Sequence, residues 1–193
     1  MTPRRCGGAT HPAVWEAHQN HMTLAAPRNL DSLPWITKDG YVDMLKVPLE
    51  SAYSRACEDD PQAVGDALGV LAAAAGHGRK EAAVFLLGFF VALPPEDWTL
   101  RAEAVEALRR VRTPACASLL LAELGRVKSS NSTRRYLDRI LGALALFPAG
   151  LVSEQLNALA REQHFSSRMR AKLRSCRLEA ELHSGRAGLP PAA

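Results

Sequence analysis

From residue 48 onward, apolar side chains recur every three or four positions, and no stretch alternates apolar and polar with period two over a useful length. The first pattern is that of an amphipathic helix and the second that of a half-buried strand, so the fold class expected is all-α. Pro48 suits the first turn of a helix reaching about residue 59. Asp60-Pro61 then supplies an N-cap followed by Pro at the first helical position, and the helix it opens should end at Gly76-His77-Gly78. The next, over 79–93, stops at Pro94-Pro95; further helices are expected over 97–112, 114–127, 133–147, 151–164 and 167–184. Thr113 and Ser132 or Thr133 are placed to cap them, and Gly185 to close the last. The run 82–93 is twelve residues without a charge. It is too short for a bilayer span, which takes about 20 residues, and reads as a buried core helix.

Two of these helix pairs repeat one another. The segment WTLRAEAVEALRRVRTPACASLLLAELGRV (98–127) is echoed by STRRYLDRILGALALFPAGLVSEQLNALARE (132–162). A shift of 33 sets Arg101 on Arg134, Ala104 on Leu137, Ala107 on Ile140, Leu108 on Leu141 and Val111 on Leu144. The turn prolines Pro114 and Pro148 lie 34 apart, and a shift of 35 sets Leu121 on Leu156 and Leu124 on Leu159. A period in the low thirties with two helices per unit marks a stacked repeat, because a lone hairpin cannot bury its apolar stripe without neighbours. With an Arg opening the first helix, an Ala/Leu stripe, Pro or Gly at the turn and a Leu-rich second helix, the chain resembles HEAT-type repeat proteins over roughly residues 61–184. That resemblance implies an α-solenoid of stacked antiparallel hairpins with a right-handed superhelix, and no particular activity. The expected core is Leu108, Leu120, Leu124, Leu137, Ile140, Leu141, Leu144, Leu156 and Leu159 with Phe85, Leu86, Phe89 and Phe90. Residues 1–43, holding four prolines, half of the histidines and two of the three tryptophans, read as an irregular arm with a short helix near 12–22 and an apolar patch at Leu33-Pro34-Trp35-Ile36. Residues 44–184 form the repeat domain, and 185–193 a disordered tail.

Charge changes the picture more than composition does. Aromatics are only 6% of the chain and its net charge is +4, but the charges are segregated. Residues 31–106 hold six Lys/Arg against thirteen Asp/Glu, a net of −7; residues 126–177 hold eleven against three, a net of +8. One end of the molecule should be acidic and the other basic. The cysteines, Cys6, Cys57, Cys116 and Cys176, form no CxxC pair and read as buried thiols in a reducing compartment. No signal peptide is expected from the first residues, and the chain is placed in the cytoplasm.

The candidate chemistry is thin. His18 and His21 stand three apart with Glu16, His11 and Cys6 nearby, short of a metal-ligand set of three or four at recognisable spacing; no metal and no cofactor are expected. Gly76-His77-Gly78-Arg79-Lys80 places Gly78, Arg79 and Lys80 where a helix start could hold a phosphate, but without the GxxxxGK[ST] pattern and without a preceding strand. A helix C-cap and turn accounts for both glycines. Ser118, Ser153, Ser166 and Ser167 have no evident His–Asp partners, and no catalytic constellation stands out. The basic set has most content: Arg126 and Lys128 in the 125–132 loop, Arg134, Arg135 and Arg139 on one helix, and Arg168, Arg170, Lys172, Arg174 and Arg177 on the last. Only Tyr136 and Phe165 are interleaved with it, so it offers few stacking platforms for bases. The function expected is therefore a protein-interaction, scaffold or adaptor module, with self-association through opposite ends as a corollary and no membrane contact. The alternative is nucleic-acid backbone binding through the basic helices. That use is similar to the HEAT-like alkylpurine DNA glycosylases, which rely on an acid and aromatics on a concave face; here the second helices offer Glu123, Glu154, Asn157, Arg161 and Glu162.

Overall fold

A computed structural model describes residues 33–187. The described chain holds eight helices: α1 (Glu50–Ala56), α2 (Pro61–Gly76), α3 (Lys80–Ala92), α4 (Trp98–Leu108), α5 (Pro114–Arg126), α6 (Arg134–Leu144), α7 (Ala149–Leu159) and α8 (Ser167–Ala187). The protein is all-α among these residues. Its one departure is a single antiparallel bridge between Ile36 and Val42, closed by a turn in which Gly40 takes φ +78°.

The punctuation read from the sequence works largely as chemistry requires. Asp60 accepts from the Gln62 N–H at 3.1 Å ahead of Pro61, and Thr113 from the Cys116 N–H at 3.3 Å ahead of Pro114. Thr133 does not cap α6. Its hydroxyl donates instead to the Lys128 carbonyl at 2.7 Å and accepts from the Ser130 N–H at 2.9 Å, pinning the α5–α6 loop. Pro48 lies outside α1, which starts at Glu50. Gly185 does not close the last helix either, since α8 continues to Ala187. The expected 12–22 helix, His18, His21 and the 188–193 tail lie outside the described residues.

Helices pack on the next but one: α2 on α4, α4 on α6, α6 on α8, and α5 on α7. The hairpin neighbours α2–α3, α3–α4, α5–α6 and α7–α8 pack as well. Leu108, Leu120, Leu124, Leu137, Ile140, Leu141, Leu144 and Leu156 are all buried, as the 3.6-residue stripes demand. Leu159 is only half-buried, although its side chain closes over Gly125, where a Cβ would stand 3.6 Å from it. Small residues let the helices approach: Ala52, Ala56, Ala67, Ala72, Ala74, Ala82, Ala104 and Ala143 are among the most buried positions.

One expectation is overturned in α3. Its apolar run is not a helix buried all round. Ala82, Leu86 and Phe90 are buried and Phe85, Leu87 and Phe89 half-buried, but Val84 and Val91 are exposed at 68% and 66%. The reason is position. α3 packs chiefly on α2 and α4, with Tyr53 of α1 against Phe85 at a ring separation of 4.7 Å, and no described helix lies across the Val84–Val91 stripe. Cys57 likewise corrects the buried-thiol expectation, since it is exposed beyond the end of α1. Cys116 and Cys176 are buried and donate to the Leu108 and Leu141 carbonyls; burial raises both thiols to about 12, which leaves them inert.

Candidate functional site

The basic residues of the C-terminal half fall into two groups, and members of both meet at one cleft. The first is spent on the fold. Arg126 binds Glu123 through two nitrogens, each at 2.8 Å. Arg139 reaches Glu103 of α4 at 3.3 Å, and Lys172 of α8 pairs with Asp138 of α6. These contacts tie successive helices of one row together. Arg177 lies 3.8 Å from Glu181, and its Nε is buried without a hydrogen bond. A second group, Lys128, Arg135, Arg168, Arg170 and Arg174, has no ion-pair partner among the described residues. The two groups meet where Arg134, Arg168 and Lys172 surround a cleft of about 70 Å³ between the α5–α6 and α7–α8 loops, with Asp138, Ser129 and Ser166 beside them. Arg134 also donates to Asn131 at 3.1 Å, and Ser166 accepts from the Met169 N–H.

The two aromatics interleaved with this set are out of reach. Tyr136 and Phe165 are each 2% exposed, so neither can stack on a base. Tyr136 belongs instead to a buried ionic cluster that the sequence does not announce. Arg101, at the start of α4, is 5% exposed, and its Nη2 lies 3.0 Å from Glu123 Oε1 of α5. The Tyr136 hydroxyl donates to the same oxygen at 2.7 Å. The guanidinium also donates to the Leu93 carbonyl at 3.0 Å and lies 4.4 Å from the centre of the Phe90 ring. Burial would raise the Glu123 carboxyl, but hydrogen bonds from Arg126 and Tyr136 and the charges of Arg101 and Arg126 outweigh it, and the net shift is downward. Burial, with the bond to Glu123, raises the Tyr136 phenol far above its ordinary value. The cluster joins α3, α4, α5 and α6 and faces away from solvent, so Arg101 is a structural residue and Glu123 is not available to a partner. The equivalence of Arg101 with Arg134 therefore fails in environment: Arg134 is exposed.

The 76–80 turn gains neighbours that sequence reading did not give it. Gly78 takes φ +96°, a conformation a side chain resists, and His77 donates from Nδ1 to the Ala73 carbonyl at 2.8 Å. Arg79 is fixed by bonds to the Val47 carbonyl and, from Nε at 2.7 Å, to Glu81. Glu81 is held below its usual value by its own backbone N–H and by Arg79. Across from this turn stands the α4–α5 connection, Arg110 to Thr113, and the two enclose a groove of about 540 Å³. Gly78, Arg79 and Lys80 are thus brought together with Arg110 and Arg112, which lay outside the basic set read from the sequence. The groove is basic although most of its residues fall in or beside the acidic half of the chain.

Among the described residues, no group of three or more His, Cys, Asp or Glu is placed to hold a metal ion, and no helix is long and apolar enough to cross a membrane. In comparisons with protein-family models, curated proteins and solved structures, nothing matches the chain.

Proposed function

We propose that the chain is a protein-interaction module: a HEAT-like, right-handed solenoid that presents the α6–α8 basic surface to an acidic region of a protein partner. The observation that carries this reading is the burial of Tyr136 and Phe165 amid a basic set of which Lys128, Arg135, Arg168, Arg170 and Arg174 have no ion-pair partner among the described residues. A surface of guanidinium and ammonium groups with no stacking platform suits carboxylates at a protein rim better than unstacked bases. The next-but-one packing of α2, α4, α6 and α8 supports the solenoid, because each helix of the row meets the one before and the one after it.

A second reading rests on the small cleft of Arg134, Arg168 and Lys172. Arg134 and Arg168 around one opening, with Lys172 beside them held by Asp138, suit a phosphate of a duplex backbone, which positions a nucleic acid without reading its sequence. Both readings are tested with one variant, Arg134→Glu/Arg135→Glu/Arg168→Glu. All three side chains are exposed and none belongs to the Arg101 cluster. Binding is measured against a Glu/Asp-rich peptide, a DNA duplex and an RNA hairpin across a salt series. The interaction reading expects peptide binding that the triple reversal weakens, chiefly through the on-rate. Duplex binding with log affinity falling at about −0.9 per phosphate contacted would favour the second reading. Binding of any probe that ignores both the reversal and half-molar salt would retire the electrostatic account.

A further inference from the structure

We infer that the groove between the α2–α3 and α4–α5 turns is a binding site for a small anion that carries several phosphoryl groups. The inference rests on which charges the fold collects there and which it keeps away. Lys80 comes from one turn and Arg110 and Arg112 from the other, thirty residues further on, yet all three line one groove together with His77 and Arg79. No acidic residue lines it. Lys80, Arg110 and Arg112 have no ion-pair partner among the described residues, whereas their neighbours do: Arg79 is matched by Glu81 and Arg109 by Glu106 at 3.0 Å. Both acids thus serve cations other than these three. Like charges gathered without a counter-charge repel one another, and an anion seated between them reverses the sign of that energy.

Geometry supports a formed site rather than a chance cluster. Gly78 at φ +96° holds its turn in a conformation few other residues tolerate, and the bonds of His77 to Ala73 and of Arg79 to Val47 brace both sides of it. On the far side, Thr113 caps α5 and fixes the end of the Arg110–Thr113 connection. The two turns stand close at Gly76, where a Cβ would make ordinary contact with the Arg110 Cβ and carbonyl at 3.9 Å. The floor of alanines and Val111 leaves a hollow of about 540 Å³, within the range of small-molecule sites. Helix dipoles add little to the field. α3 and α5 begin at this edge and α2 and α4 end there, so positive and negative termini offset. The positive potential therefore comes from side chains, and three cations drawn from two turns suit several phosphoryl groups better than one. No aromatic side chain lines the groove, so the charged portion of the ligand, not a base, is what it recognises.

The test is titration calorimetry on the full chain in 0.15 M salt, about one physiological ionic strength, with inorganic tripolyphosphate, ATP and inositol hexakisphosphate as probes. Orthophosphate and citrate serve as controls for single phosphate and for charge alone. At least one of these three multiply phosphorylated probes should bind at least tenfold tighter than orthophosphate or citrate and raise Tm. Which one binds best separates an inorganic chain, a nucleotide and an inositol phosphate as the source. Lys80→Gln/Arg110→Gln/Arg112→Gln should lose at least tenfold in affinity while keeping its unliganded Tm. The Arg134→Glu/Arg135→Glu/Arg168→Glu variant should bind polyphosphate within about twofold of the native chain at this screening length. Absence of heat at millimolar probe, equal binding of citrate, undiminished binding by the neutralised groove, or binding of duplex DNA without any small probe would each overturn the inference. Because the two variants share no residue, failure here and failure of the α6–α8 reading are separate results.

Discussion

Replacing Glu123 with Ala should be among the most destabilising single substitutions in this chain, because it strands a buried cation. Glu123 Oε1 accepts from Arg101 Nε at 3.1 Å, with Nη2 of the same guanidinium 3.0 Å away, and from the Tyr136 hydroxyl at 2.7 Å, and both oxygens take bonds from Arg126. Removing one partner of a buried pair costs roughly 3–5 kcal/mol, since the remaining charge stays desolvated. Arg101 would keep the Phe90 and Leu93 carbonyls and the Phe90 ring, which places its share toward the lower end. Tyr136 loses its acceptor, adding about 1 kcal/mol. The Arg126 contribution is small, roughly 0–1 kcal/mol, because that side chain is 46% exposed. The expected total is about 4 kcal/mol. Arg101→Met/Glu123→Leu removes both charges and fills the space, and should lie within about 1 kcal/mol of the native chain. Urea unfolding at pH 7, with m-values checked for constancy, measures all variants. A loss below about 1 kcal/mol for Glu123→Ala, or a double variant no more stable than the single, would refute the buried-cluster reasoning.

The same carboxylate should make stability depend on pH. Its folded pKa lies below the ordinary 4.5, so its contribution is present above that value and is lost as pH falls through the folded pKa. The difference in unfolding free energy between the native chain and Glu123→Gln should be flat near neutrality and shrink below about pH 4.5; a difference that grows with acid would contradict the sign. Leu141→Ala, at a buried position of α6, should cost about 2–5 kcal/mol. Leu182→Ala, at 63% exposure on α8, should stay within about 0.5 kcal/mol, and equal losses at the two sites would show the helix faces misassigned.

The core was legible because burial in a helical protein repeats locally. Leu137, Ile140, Leu141 and Leu144 satisfy a 3.6-residue period without any knowledge of what they face, and Asp60 and Thr113 cap through groups two and three residues away. The solvent side of α3 was not legible, because an apolar run carries no sign of which neighbour is missing. Val84 and Phe90 read alike in sequence, yet one is 68% exposed and the other 1%. The ionic cluster was hidden for a related reason. Arg101 finds its acceptor 22 residues away on α5 and Tyr136 lies 35 residues away on α6, and the 33-residue period sets Arg101 against an exposed Arg134. Repetition carries backbone position forward from one unit to the next; it does not carry the identity of the counter-charge.

The groove shows the opposite case, in which the period held information that a segment-by-segment reading of charge discarded. Shifting by 33 sets Gly78 on Val111, Arg79 on Arg112 and Lys80 on Thr113. Where helices pack on the next but one, residues a period apart in successive turns face the same edge of the molecule. Arg79 and Arg112 do so around the groove. Counting charge over 31–106 and 126–177 split this pair between an acidic block and an uncounted interval, and averaged it away. What matters to an anion is the charge within a Debye length, about 8–10 Å, and around this groove that neighbourhood is assembled from turns about thirty residues apart. The charge pattern of this chain is therefore better read across the turns that the fold brings together than along its sequence, and read that way Lys80 of the acidic half meets Arg110 and Arg112 from just beyond it in one basic groove.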